Sequence, residues 1–123
     1  MKNYEFDNEM IIYRGYVTDC NGADFEDKSE QQKAELILAN EHIAIIKSSD
    51  QNMRYANNVE IISLKDIKVF DNTIQIIRNE NTVKIYTLQA EKFLLFPNEN
   101  EAMEFTDKTL KLIHKMLKFV KGI

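Results

Sequence analysis

NENEAMEFTDKTLKLIHKMLKFV, residues 98–120, decides the reading of the chain. Ala102, Phe105, Thr109, Leu112, Ile113, Met116, Leu117 and Val120 recur at helical spacing, so they share one face of a helix. Lys108, Lys111, Lys115 and Lys118 share the opposite face. Asn98 follows Pro97 and is a good N-cap, and Glu101 stands three residues later, where a capping-box acid belongs. Glu99, Glu101, Glu104 and Asp107 come early and the lysines late, which suits the helix dipole. Such a helix runs roughly 33 Å, enough to cross a small sheet or cap a small barrel.

Upstream, the chain reads as sheet made to receive that helix. Strand candidates are residues 9–18, 34–39, 42–47, 59–70 with a break near Lys65-Asp66, 73–78, 82–88 and 92–96. Val83, Ile85 and Thr87 alternate with Lys84 and Tyr86 as a half-buried strand requires. Asn40-Glu41, Asp71-Asn72 and residues 79–81 are tight turns, and short turns make antiparallel neighbours. Gly15 suggests a bulge or bend in the first strand. Residues 19–33 read as a long acidic connection, and residues 48–58 as a polar loop. Phe93, Leu94, Leu95 and Phe96 are apolar on both faces, so cover is expected on both sides. The expected fold is mainly β, a barrel or sandwich of about seven antiparallel strands with one C-terminal α-helix.

The chain has 123 residues, 44% hydrophobic and 29% charged, which suits one globular domain over residues 1–123 with a polar arm at 1–8. Its net charge of -4 argues against nonspecific binding to nucleic acid or anionic lipid. Cys20 is the one cysteine, so no internal disulfide is possible and a reducing cytoplasm is the expected location. Residues 1–7 lack the apolar core of a signal peptide, and no apolar run is long enough to cross a bilayer.

Catalysis finds little to work with. His42 and His114 have no spacing that suggests a shared metal. Cys20 lies in a connection where its thiol could be exposed, yet no histidine is near it in sequence. Asp19, Asn21, Asp24 and Glu26 do not make an EF-hand, which needs glycine at the sixth place, where Asp24 stands. With three glycines, Gly15, Gly22 and Gly122, no glycine-rich phosphate cradle can form. No catalytic residue, cofactor or metal is expected.

The strand order and terminal helix resemble the pleckstrin-homology fold, including its bacterial and GRAM-type relatives. The residues that carry the likeness are Ile62-Ser63-Leu64-Lys65-Asp66-Ile67-Lys68-Val69, Thr73-Ile74-Gln75-Ile76-Ile77, Val83-Lys84-Ile85-Tyr86 and the helix from Asn98. The tryptophan near the helix end of eukaryotic members is absent, leaving Met116 or Phe119 to fill that space. The resemblance implies a non-catalytic binding module. Phosphoinositide-binding members place basic residues at the end of the first strand and in the second. Here those positions read Val17-Thr18-Asp19 and Lys33-Ala34-Glu35-Leu36, so strong phosphoinositide or membrane binding is not expected.

The expected role is protein contact or scaffolding in the cytoplasm of a bacterium; the alternative is a barrel that binds lipid or a small ligand. Two candidate surfaces emerge. One is Met10, Ile12 and Tyr16, if Ile11, Tyr13 and Val17 point inward on a first strand that forms a sheet edge. The other is the lysine face, Lys108, Lys111, Lys115 and Lys118. The partner is a foreign protein or a second copy in a homodimer.

Overall fold

The computed structural model describes residues 10–21, 25–26, 28, 31–47 and 58–121, with the backbone alone at 58 and 118–121. Strands β1 (Ile11–Asp19), β2 (Gln32–Ala39), β3 (His42–Lys47) and β4 (Asn58–Ser63) form a meander. A 3-10 turn, Leu64–Asp66, supplies the break foreseen at Lys65-Asp66. A small hairpin follows, β5 (Val69–Phe70) and β6 (Thr73–Ile74), then β7 (Ile76–Asn79), β8 (Thr82–Tyr86), β9 (Glu91–Leu95) and helix α1 (Glu99–Lys121). The hairpin turns at Asp71 and Asn72, both at positive φ (53° and 64°), the conformation that suits a two-residue turn and that these side chains tolerate.

Seven strands make one antiparallel sheet in the order β4-β3-β2-β1-β9-β8-β7. This corrects two expectations. The sheet is not closed into a barrel, because its end strands β4 and β7 share no ladder. The first strand is not a sheet edge, because β2 and β9 flank it. The sheet nevertheless curls. Lys92 on β9 reaches Glu60 on β4 at 2.8 Å although three strands lie between them.

Residues 73–78 divide at Gln75 instead of forming one strand. The Gln75 amide donates to Lys68 O and its carbonyl accepts from Tyr86 N, so the chain changes partners there. Nine strands result among the described residues, seven of them in the main sheet.

The inward faces of the sheet and the apolar stripe of α1 form the main core, with Leu36, Ile43, Ile45, Leu94 and Phe105 wholly buried. Phe105 packs edge-on against Tyr13 at 5.8 Å between ring centroids and lies 5.4 Å from Phe96. Ile37, Ala39 and Ala44 form a smaller cluster on the opposite face of β2 and β3. Phe93 points outward under Phe25, 5.4 Å between centroids, with Lys84 over both rings. The expected cover on both sides of β9 is therefore present.

Asn98 caps the helix: its Oδ1 accepts the Glu101 amide at 2.9 Å. Glu101 does not return the bond of a capping box. Its carboxylate accepts the Tyr13 hydroxyl at 2.6 Å, so the helix start is pinned to β1. Burial, then the hydrogen bond and charge of Glu101 and the charge of Glu104, push the Tyr13 hydroxyl well above the ordinary tyrosine range.

Gly15 does not mark the bulge, which lies between Ile11 and Tyr13. Gly15 leaves room for the Tyr13 side chain. A Cβ there would lie 2.5 Å from the Tyr13 hydroxyl oxygen and 3.0 Å from Cζ. Gly15→Ala is expected to displace that ring, break its bond to Glu101 and destabilise by about 1–3 kcal/mol. Urea unfolding of Gly15→Ala beside Tyr13→Phe and the double variant is the check. The glycine effect should shrink when the hydroxyl is absent; an unchanged effect would place its cause elsewhere.

Candidate interaction surface

The structure brings most of the candidate residues to one place. Ile12 on β1 and Lys108, Lys111, Leu112, His114 and Lys115 on α1 line a groove of about 440 Å³. Leu112, Met116 and Leu117 on the apolar stripe of the helix pack on the core yet remain only half-buried. Ile12 joins them because of the bulge. That extra residue reverses the alternation of β1, leaving Ile11 outward and turning Ile12 half-buried against the core. The expected inward position of Ile11 is thus corrected, while Tyr13 and Val17 do point inward.

The lysines rim this groove unequally. Lys108 Nζ is bound to Glu104 at 2.7 Å and lies 3.5 Å from the Ile12 carbonyl. Lys111 and Lys115 are exposed and engage no carboxylate among the described residues. The side chain of Lys118 lies outside the described residues. Met10 is 69% exposed just before β1, and its carbonyl accepts the Asn40 amide.

Tyr16, 70% exposed, belongs to a second hollow of about 570 Å³ with Val17, Thr18, Lys33, Leu95, Phe96 and Pro97. This hollow opens where the β1–β9 ladder stops. The ladder pairs Thr18 with Leu95 and Asp19 with Leu94, and Cys20 adds an amide bond to Phe93 O at 2.9 Å. Beyond Thr18 the two strands diverge.

The opposite end of the curled sheet is charged and was missed by the sequence reading. Asp19 belongs to β1, not to a solvated connection, and is 0% exposed. Its Oδ2 lies 3.1 Å from Lys92 Nζ and 3.4 Å from Lys47 Nζ. Glu60 Oε1 lies 2.8 Å from Lys92 and 3.8 Å from Lys47. Asp19 Oδ1 accepts the Asn21 amide at 2.7 Å. Two ammonium groups thus face two carboxylates, each charge is answered locally, and no surplus of positive charge remains. Burial alone works against the Lys92 ammonium. The carboxylates of Glu60 and Asp19 outweigh it and hold the group above the ordinary lysine range.

Cys20 is buried, which corrects the expectation of an exposed thiol. No group of three or more His, Cys, Asp or Glu among the described residues is placed to hold a metal ion. No helix among the described residues is long and apolar enough to cross a membrane.

No protein-family model matches the sequence, and no curated protein matches it. Solved structures do. The fold is similar to the N-terminal PH domain of human ARAP2, with TM-score 0.61 at 15% identity over 85% of this chain and 80% of that one. The hSac2 domain of human phosphoinositide phosphatase Sac2 aligns with TM-score 0.48 at 16% identity over 96% of this chain and 74% of that one. The likeness to the PH domain is one of fold: the chain has the pleckstrin-homology-like fold.

Proposed function

We propose that this pleckstrin-homology-like chain is a non-catalytic protein-contact module that works through the groove between Ile12 and α1. One observation carries the reading: residues from two distant parts of the chain converge on a half-open apolar groove beside exposed Lys111 and Lys115, which engage no carboxylate among the described residues. Half-buried apolar side chains under a polar rim are what a contact surface requires. The lipid alternative has weaker support. The interior is filled by Leu36, Ile45, Leu94 and Phe105, and the lysines of the charged end are already answered by Asp19 and Glu60. A phosphate entering there meets two carboxylates. A reducing compartment suits the single buried cysteine.

Selection of a random peptide display library on the immobilised protein tests this. Recovered peptides are expected to bind wild type and to lose binding to Ile12→Arg, with thermal melts confirming that the variant folds. Peptides that ignore Ile12→Arg would move the contact surface elsewhere. In low-salt co-sedimentation with phosphoinositide vesicles the protein is expected in the supernatant. Phosphoinositide-dependent pelleting would put lipid binding first.

A further inference from the structure

We propose that β1 accepts an added strand from an acidic protein segment along its unpaired side, with one end of that segment lying in the lysine-rimmed groove. The inference rests on the groove reading above and goes further, naming the partner's conformation and charge.

The first support is the interrupted ladder. On its β2 side β1 is paired along its length, from Ile11 opposite Ala39 to Asp19 opposite Gln32. On its other side, among the described residues, it pairs only at Thr18 and Asp19. The Cys20 amide points to β9, since it donates to Phe93 O. Main-chain groups alternate sides along a strand, so those of Thr18, Tyr16 and Arg14 point the same way. Among the described residues no hydrogen bond engages the Arg14 or Tyr16 main chain on that side. Groups left in this state are a template for a further strand.

The second support is what lies at the two ends of this stretch. At Tyr16 is the hollow with Leu95, Phe96 and Pro97, and at Ile12 is the groove with Leu112. An added strand passing Arg14 has an apolar recess at each end for its own side chains. The third support is charge. Lys111 and Lys115 engage no carboxylate among the described residues at the groove end, and Lys33 lies exposed at the other hollow. Exposed lysines at both ends favour an acidic segment over a basic one.

The test uses synthetic peptides on the whole protein: acetyl-EVEVEVEVE-amide, its lysine counterpart acetyl-KVKVKVKVK-amide, and the acidic peptide N-methylated at alternate amides. The acidic peptide is expected to bind, to slow hydrogen exchange at the Arg14 and Tyr16 amides, and to weaken as salt rises. N-methylation should cost about tenfold in affinity through lost main-chain bonds. Lys111→Glu with Lys115→Glu should cost about tenfold through reversed rim charge. Equal binding of the lysine peptide, or binding without protection at Arg14 and Tyr16, would overturn the proposal. So would binding of phosphatidylserine vesicles in place of the acidic peptide. Groove-dependent display peptides without acidic residues would overturn it too, yet leave the groove reading intact. Loss of all Ile12-dependent binding removes both.

Discussion

Phe105→Ala is expected to destabilise the fold by about 3–5 kcal/mol, because a wholly buried ring leaves both its transfer energy and a cavity behind. The cavity cannot easily collapse. Phe105 is held between Tyr13 on β1 and Phe96 just after β9, and both of these are fixed by other bonds. Tyr13 is tied to Glu101, and the Phe96 amide donates to Asn81 O at 2.8 Å. Chemical denaturation at neutral pH gives the number directly. A loss below about 1 kcal/mol would mean that α1 is not seated on the sheet through this residue.

Asp19→Ala is expected to cost about 3–5 kcal/mol, the usual effect of removing one partner of a buried charge pair. The variant leaves Lys92 and Lys47 with one carboxylate near them among the described residues, that of the partly exposed Glu60. Asp19→Asn keeps the shape and the acceptor for the Asn21 amide but removes the charge. If Asn rescues most of the loss, the network matters through shape and hydrogen bonding rather than charge. The pH dependence follows from the raised Lys92 and Tyr13 groups. A group raised in the folded state contributes stability that is complete below its unfolded value and is lost as pH rises through the folded one. Both groups therefore weaken the wild type on the alkaline side and neither does so in acid. Denaturation midpoints followed upward from neutral pH should fall more gently in Asp19→Ala, whose Lys92 has lost one partner. Parallel slopes in the two proteins would contradict this role for Lys92.

The parts of this fold that were legible in the sequence are those decided locally. The helix, its Asn98 cap, the hairpin at Asn40-Glu41 and the alternation of Val83 and Ile85 each depend on neighbours a few residues away. The missed features depend on partners far along the chain. Glu101 looks like a capping acid until Tyr13, 88 residues away, takes its carboxylate. Asp19 sits in an acidic run that reads as solvated, and its counter-ion Lys92 lies 73 residues later. Gly15 reads as a bulge or bend because Tyr13, two residues before it, is held across it by a bond to the distant Glu101. The bulge at Ile12 shifted which β1 side chains face out, so the candidate surface was found residue by residue but on altered faces. The two candidate patches were read separately, and only the crossing of α1 over the start of β1 joins Ile12 to the lysines.

The central place of β1 also sets when this chain can fold. Its neighbour β2 follows it closely, but its other neighbour, β9, arrives only with residues 91–95. During synthesis the first four strands must wait, with the carboxylate of Asp19 lacking Lys92 and the core lacking Phe105. The meander can form locally, but closing it needs contacts across nearly the whole chain, which are slow to find because a long loop must be ordered first. Commitment to the native state thus waits until β9 and α1 have left the ribosome. A ribosome paused before residue 91 holds a chain with its apolar face and its buried acid both still facing water.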